Sequence, residues 1–154
     1  MLRVGTVGTS SIMRTIQEAI RLTDGMECRV VYSRTEEQGR AFAAEMGVPE
    51  HCTDYAAMLE RSDLDLIDIA SPNRFHVEQA LAALEHGKHV IVEKPAAVTR
   101  GDVQRLIDAA RANGVYFFEA ITTLFMPQYE ACRLLLPKLG RIEQAHITLS
   151  LIHI

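Results

Sequence analysis

A glutamate and a lysine stand together at the end of an apolar run, in the segment 88–95 with the sequence KHVIVEKP. The run predicts a buried strand, and ligands of open α/β sheets bind beyond the carboxyl ends of their strands. An ammonium group at that position can hold a substrate hydroxyl and stabilise negative charge on oxygen as hydride leaves carbon. Lys94 is therefore the candidate catalytic residue, although in an isolated tripeptide an exposed lysine paired with Glu93 is the simpler interpretation.

A second candidate site follows the first apolar segment, where residues 8–13 read GTSSIM. The dinucleotide fingerprint G-x-G-x-x-G/A places Gly8, Ser10 and Met13 at its three key positions, so only its first glycine is present. The Ser10 and Ser11 hydroxyls could donate hydrogen bonds to a phosphate at a helix N-terminus. A plain strand–turn–helix junction remains the alternative.

The end of the second predicted strand bears on the choice of nucleotide. Many NAD-binding proteins place a carboxylate there for the ribose 2′-hydroxyl, but residues 31–35 read VYSRT. Ser33 could donate to a 2′-phosphate and the Arg34 guanidinium could pair with it, which favours NADP over NAD. The alternative is a solvated arginine. The charged residues that follow are expected on a solvated helix face: Glu36, Glu37 and Arg40.

Strands and helices alternate along the chain, and this order predicts the elements that position the candidate residues. Strands are predicted over residues 2–7, 28–33, 64–70, 89–93 and 116–120. Helices are predicted from residue 12 to about 20 and over 36–46, 55–61, 74–86, 99–113 and 127–138. Such alternation implies right-handed crossovers, so we predict a doubly wound α/β domain with a mainly parallel sheet.

Composition narrows the classes of protein to consider. The 154 residues include 16 Lys and Arg against 20 Asp and Glu, so no basic excess favours a nucleic-acid partner. No apolar run approaches the ~20 residues that span a bilayer, and three scattered cysteines suit a reducing compartment, so we expect a cytoplasmic protein without a membrane partner. His86 and His89 have no third ligand nearby, and no metal site is expected.

Four segments in order resemble the Gfo/Idh/MocA oxidoreductase family, the group of glucose–fructose oxidoreductase and inositol dehydrogenase. They are residues 8–12 (GTSSI), 71–76 (SPNRFH), 87–95 (GKHVIVEKP) and 119–127 (EAITTLFMP). The resemblance extends to about Ile142. It implies a Rossmann domain and an NAD(P)-dependent dehydrogenase or reductase that acts on a sugar, polyol or related carbonyl compound.

The same resemblance implies roles for individual residues. Lys94 corresponds to the catalytic lysine, Glu93 lies near the nicotinamide ribose, and Glu119 ends the strand beside the nicotinamide. The implied cofactor-binding residues are Gly8, Thr9, Ser10, Ser11, Ile12, Ser33, Arg34, Ser71, Pro72, Asn73, His76, Glu93, Lys94 and Glu119.

Departures from the family pattern also carry information. Ser10 replaces the usual second glycine, and Ser33 replaces a frequent aspartate, which again favours NADP. Residues 124–127 read LFMP where many members have Arg-Phe-His-Pro, so the resemblance does not imply the family's substrate contacts at these positions. Glu-Ala-Ile-x-Thr, residues 119–123, suggests the dihydrodiol dehydrogenase-like branch.

Family members are about twice as long, and their second domain forms the substrate pocket and the dimer surface. We therefore expect a cofactor domain over residues 1–122, and over 123–148 a linking helix with the first strand of a second α/β domain. Residues 149–154, LSLIHI, match one reading frame of a transposase adapter and are interpreted as a non-native tail. The chain would bind NADP(H) without turnover, and a homo-oligomer would require the full-length protein. The alternatives are a stand-alone, non-catalytic NAD(P)-binding module and an inert gene fragment.

Overall fold

The computed structural model describes residues 1–144 and 146. The described residues fall into two compact units, one formed by Met1–Ala120 and one that begins at Ile121. Apart from residues 144 and 146, the strand predicted near the C-terminus lies outside the described residues, as does all of the proposed non-native tail over 149–154.

The first unit contains a sheet of six strands. They are β1 (Leu2–Val7), β2 (Met26–Tyr32), β3 (Glu50–Cys52), β4 (Leu66–Ile69), β5 (His89–Glu93) and β6 (Phe117–Ala120). Their order is β3-β2-β1-β4-β5-β6, and every neighbouring pair is parallel. From β1 the chain adds β2 and β3 on one side of the sheet. It then returns to the other side of β1 and adds β4, β5 and β6 there. A crevice forms at such a reversal, beyond the carboxyl ends of β1 and β4.

Helices connect the strands and confirm the doubly wound α/β fold. In the first unit they are α1 (Ser11–Leu22), α2 (Glu36–Met46), α3 (Tyr55–Leu59), α4 (His76–Glu85) and α5 (Arg100–Ala112), with a 3₁₀ turn at Asn73–Phe75. The second unit contains α6 (Pro127–Leu135) and 3₁₀ turns at Thr122–Phe125 and Leu136–Leu139. No helix of the described residues has the length and apolar character required to cross a membrane.

The sequence did not predict β3. This strand has only three residues, which is too few for an alternating hydrophobic pattern to be visible. It is defined by its pairing with β2, where Val31 lies opposite His51 and Tyr32 opposite Cys52.

Apolar side chains cover both faces of the sheet because successive residues of a strand point to opposite sides. On one face, Ile67 and Ile69 of β4 pack in a core cluster with Leu84 of α4 and Leu106 of α5. The other face includes a separate cluster in which Met13 of α1 packs with β2 and α2 residues. The sheet is therefore fixed from both sides, and its carboxyl edge forms a rigid base for the crevice.

One buried aspartate interrupts this apolar packing. Asp68 of β4 is 6% exposed, and its Oδ1 atom has no hydrogen-bond partner among the described residues. Burial raises the pKa of Asp68 to about 7, and the nearby Glu93 carboxylate adds to the rise. The folded protein therefore favours the protonated form of this side chain.

Replacement of Asp68 by asparagine should stabilise the protein at pH 8. An unfolded aspartate has a pKa of about 3.9, so the cost of ionising Asp68 in the folded state is absent below about pH 4 and increases as the pH rises. The penalty is fully present only above the folded pKa of about 7. We expect Asp68→Asn to raise the free energy of unfolding by about 2–4 kcal/mol at pH 8 and by much less near pH 4. Urea unfolding at both pH values measures the difference.

Asp65, close to Asp68 in sequence, provides the matched control. Its carboxylate accepts hydrogen bonds from the backbone N–H of Arg3 at 2.9 Å and from the Arg3 guanidinium at 2.6 Å. These bonds lower the pKa of Asp65, so Asp65→Asn should destabilise the protein at pH 8. A destabilising effect of Asp68→Asn at pH 8 would contradict the assignment of a desolvated carboxyl.

Candidate functional site

Two adjoining clefts lie beyond the carboxyl ends of the central strands. The β2-side cleft has a volume of about 230 Å³, and the β5-side cleft has a volume of about 440 Å³. The β2-side cleft is lined by Val7, Gly8, Thr9, Ser10, Tyr32, Ser33, Arg34, Gln38, Ala70, Ser71, Pro72, Phe75 and Gln79. The β5-side cleft is lined by Ser10, Ile12, Ala70, Ser71, Pro72, Asn73, His76, Glu93 and Lys94. Because four residues line both, the two clefts form one continuous crevice.

Gly8 forms the turn at the centre of this crevice. Its φ angle is 115°, a conformation that side-chain-bearing residues rarely adopt. Its backbone N–H donates to the Tyr32 carbonyl at 3.0 Å, and a Cβ atom at this position would lie 2.8 Å from the Ala70 carbonyl oxygen. A glycine is therefore required for the backbone to leave β1 and pass this close to the end of β4.

The residues after Gly8 bring the start of α1 to the crevice. Ser10 caps α1 without a side-chain hydrogen bond to the helix, and Ser10, Ser11 and Ile12 are exposed. The first backbone N–H groups of a helix have no partner within the helix and are suited to an anion. Met13, at the third fingerprint position, is fully buried in the core. The turn thus offers amides and hydroxyls to a ligand while methionine fills the space beneath it.

The end of β2 supplies a hydroxyl and a guanidinium to the β2-side cleft. Ser33 is 4% exposed, and its backbone N–H donates to the Cys52 carbonyl at 3.0 Å. Its Oγ accepts a long hydrogen bond of 3.5 Å from the Thr35 backbone N–H. Arg34 is exposed and forms no ion pair with any described residue. Both residues line the β2-side cleft. Their contact with a 2′-phosphate stays a prediction.

His76 connects the two loops that flank the β5-side cleft. Its ring is completely buried, with Nε2 at 2.8 Å from the Ser71 carbonyl and Nδ1 at 2.9 Å from the Pro95 carbonyl. Both ring nitrogens therefore face backbone carbonyl oxygens, and a neutral imidazole donates its single N–H to one of the two. The ring thus contacts both the loop after β4 and the segment after β5.

The other residues of the SPNRFH segment divide between structure and cleft. The Ser71 hydroxyl donates to Gln79 Oε1 at 2.6 Å, which fixes the loop to α4. Pro72 and Asn73 are exposed and line the β5-side cleft.

Lys94 is exposed in the β5-side cleft and follows β5 directly. Its backbone N–H donates to the Glu93 carboxylate at 3.3 Å, but within residues 1–144 and 146 its ammonium forms no ion pair. Because it has no ion pair there, the amine can interact with a ligand, in contrast to the simpler interpretation of a lysine paired with Glu93. The Lys94–Pro95 peptide bond is cis.

Glu119 lies in β6, the strand next to β5, and contacts the segment that follows Lys94. Its Oε1 accepts a hydrogen bond from the Ala96 backbone N–H at 2.9 Å. It does not line either cleft, so the structure places it as a support for the chain that follows Lys94.

Sequence reasoning missed several residues of the β2-side cleft: Tyr32, Gln38, Phe75 and Gln79. Gln38 lies within α2, and only the orientation of that helix over the end of β2 brings it to the cleft. The periodicity of residues along one helix does not show which of them will lie next to a neighbouring strand in the folded protein.

Comparisons with known proteins agree with this geometry. A family model described as an oxidoreductase family with an NAD-binding Rossmann fold matches residues 2–121. Scyllo-inositol 2-dehydrogenase (NADP(+)) of Bacillus subtilis is 35% identical over 144 residues, which cover 94% of this chain and 44% of that protein. D-xylose 1-dehydrogenase (NADP(+)) 2 of Haloferax volcanii is 31% identical over 90% of this chain and 43% of its own length.

Solved structures give the same result. A 3-ketoreductase from Actinomadura kijaniata, solved with NADP, superposes with a TM-score of 0.84 at 30% identity, over 89% of this chain and 44% of that one. Biliverdin reductase from Synechocystis, solved with biliverdin and NADP+, gives a TM-score of 0.80 at 30% identity, over 91% of this chain and 44% of that one. The chain thus spans less than half the length of these relatives.

Gly8→Ala should lower the free energy of unfolding by about 2–3 kcal/mol, because alanine must adopt a positive φ and approach the Ala70 carbonyl. Gly101→Ala is the matched control. Gly101 lies within α5, where a Cβ atom would come no closer than 3.8 Å to the Thr99 hydroxyl, so alanine should stabilise by about 0.5–1 kcal/mol. Urea denaturation compares the two variants, and equal stabilities would show that the turn tolerates a side chain.

Proposed function

This chain belongs to the Gfo/Idh/MocA family of oxidoreductases with an NAD-binding Rossmann fold, and on that premise we propose that it is the cofactor-binding part of an enzyme that transfers hydride between NADP(H) and a sugar, polyol or related hydroxy or carbonyl compound. One observation carries the proposal. A single crevice has the glycine turn and the Ser33–Arg34 pair on one side and the exposed Lys94 on the other.

The described residues fit a dinucleotide. Gly8 leaves the space that a Cβ atom would occupy, so the backbone can approach a pyrophosphate, and the start of α1 offers N–H groups to it. The β2-side cleft would hold the adenosine half and the β5-side cleft the nicotinamide half. When bound, the nicotinamide supplies or accepts the hydride.

NADP is the preferred nucleotide in this proposal. The Arg34 guanidinium, which has no acidic partner among the described residues, can form charge-assisted hydrogen bonds with a 2′-phosphate. The Ser33 hydroxyl, close to the same position, can donate a further bond. The names of both dehydrogenases described above include NADP(+), in agreement with this assignment.

Lys94 is the proposed catalytic residue. Its ammonium would hold the substrate hydroxyl and stabilise the negative charge that develops on that oxygen during hydride transfer. His76 and Glu119 contact the backbone directly after Lys94, at Pro95 and Ala96. These bonds would keep the amine at a constant position relative to the nicotinamide half of the crevice.

The substrate class is proposed from the relatives. Their names specify scyllo-inositol and D-xylose, which are polyhydroxylated compounds with a secondary hydroxyl or hemiacetal carbon to oxidise. We propose a similar substrate for the whole protein, with the remaining contacts and the second acid–base group supplied by residues outside the cofactor half. A stand-alone NAD(P)-binding module is the second candidate, because the lining of the β2-side cleft can bind a nucleotide whether or not Lys94 meets a substrate.

The chain should bind NADPH with a dissociation constant of about 1–50 μM and NADH at least about tenfold more weakly, because only NADPH can pair with Arg34. Arg34→Met should weaken NADPH binding by about tenfold and change NADH binding by less than about twofold. The fluorescence of the reduced nicotinamide measures each titration.

Arg111→Met is the matched control, since Arg111 is an exposed arginine at the end of α5, outside both clefts. It should leave both affinities unchanged. Tighter binding of NADH than of NADPH would overturn the Ser33–Arg34 assignment, and the absence of binding by either nucleotide would overturn the proposed function.

The chain alone should not reduce NADP+ when scyllo-inositol or D-xylose is added, because in this proposal the described residues supply the cofactor site and the Lys94 amine, and the remaining substrate contacts come from residues outside the cofactor half. Absorbance of the reduced nicotinamide reports the reaction. Turnover that disappears in Lys94→Met would show instead that this chain contains the complete catalytic machinery, and it would exclude the non-catalytic module.

A further inference from the structure

The first carboxylate after β2 belongs to Glu36, the first residue of α2. Its Oε1 atom lies 2.8 Å from His51 Nε2 and 3.0 Å from Arg40 Nη2. Glu36 does not line the β2-side cleft, although Ser33, three residues earlier, does. The sequence predicted a solvated helix face here, and the Arg40 and Glu36 side chains are 69% and 57% exposed. On that face, the Glu36 carboxylate is bound by two basic side chains.

The packing around Gly39 explains where the Glu36 carboxylate is held. A Cβ atom on Gly39 would lie 3.2 Å from Ser33 Cβ and 3.4 Å from His51 Cδ2, so α2 packs closely over both residues. His51 belongs to β3, the edge strand beyond β2, and its side chain is 24% exposed. Glu36 is therefore drawn towards β3, while Gln38 of the same helix faces the cleft.

The position of a carboxylate near the end of β2 decides nucleotide preference in folds of this kind. A carboxylate accepts hydrogen bonds from the hydroxyls of an NAD ribose, but it repels a 2′-phosphate. Hydrogen bonds from His51 and then Arg40 lower the pKa of Glu36, so this group is negatively charged at neutral pH. If it were free to turn, its side chain would compete with the charge of Arg34 at the phosphate position.

We propose that His51 and Arg40 are specificity-determining residues, which hold the Glu36 carboxylate away from the 2′-phosphate position and thereby preserve the preference for NADP. This inference rests on the proposed function, since it assumes that the adenosine half of the nucleotide occupies the β2-side cleft. His51 and Arg40 act by fixing the position of the Glu36 carboxylate. Exposed ion pairs of this kind contribute little to stability, so binding of the two nucleotides is the informative measurement.

A double-mutant cycle tests the inference with the whole chain. Arg40→Met/His51→Leu removes both restraints and should weaken NADPH binding by about tenfold while changing NADH binding by less than about twofold. Glu36→Gln added to that variant should restore NADPH binding to within about threefold of the unmodified chain. Glu36→Gln alone should change the ratio of NADPH to NADH affinity by less than about twofold, because the carboxylate is already held away.

Glu37→Gln provides the matched control. Glu37 is the next carboxylate of α2 and, within the described residues, has no bond to His51 or Arg40, so its removal should have the same effect with and without the restraints. Circular dichroism and thermal unfolding confirm that each variant is folded.

The outcomes separate the two proposals. NADPH binding that is weakened by Arg40→Met/His51→Leu and restored by Glu36→Gln supports the restraint. Weakening that Glu36→Gln does not reverse means that Arg40 acts directly through its own charge, and it overturns the inference while the proposed function stands. Unchanged binding in the double variant overturns the inference in the same way. A chain that binds neither nucleotide overturns both.

Discussion

The approach of the Gly8 turn to the end of β4 is the constraint on which the site depends. Parallel neighbours β1 and β4 bring two chain exits to the same edge, and the backbone at Gly8 passes the Ala70 carbonyl with no room for a Cβ atom. The same turn sets the start of α1, which delivers the free N–H groups and the Ser10 hydroxyl to the crevice. A side chain at position 8 would separate these elements and alter both clefts together.

The segments around the crevice are held by side chains that bind backbone atoms of another loop. The two ring nitrogens of His76 lie against the carbonyl oxygens of Ser71 and Pro95, and the Glu119 carboxylate accepts a hydrogen bond from the N–H of Ala96. Such bonds fix irregular chain that the sheet itself cannot order, because a loop has no ladder partner. The backbone that bears the exposed Lys94 amine is thus contacted by His76, which follows the loop after β4, and by Glu119 of β6.

Charge in this unit is arranged at a cost to stability. Asp68 is buried without a partner for Oδ1 and is close enough to Glu93 for its protonation to respond to that carboxylate. One oxygen of the Glu36 carboxylate, in contrast, is bound by both His51 and Arg40 outside the cleft. The Asp68 carboxyl is buried in the core, which disfavours its charged form. In our proposal the Glu36 carboxylate is held away from the position at which its charge would repel an anionic ligand.

The sequence determined the fold class, because alternating apolar periods of two and of three to four residues are local and need no partner to be recognised. It also placed Gly8, Arg34 and Lys94 directly after predicted strands and Ser33 at the end of one, and all four residues line the crevice. Only tertiary structure revealed β3, which is a strand by its pairing alone. It also decided that the ring of His76 binds backbone and that Glu36 turns to His51, because these contacts join residues distant in sequence whose meeting depends on the packing of the sheet.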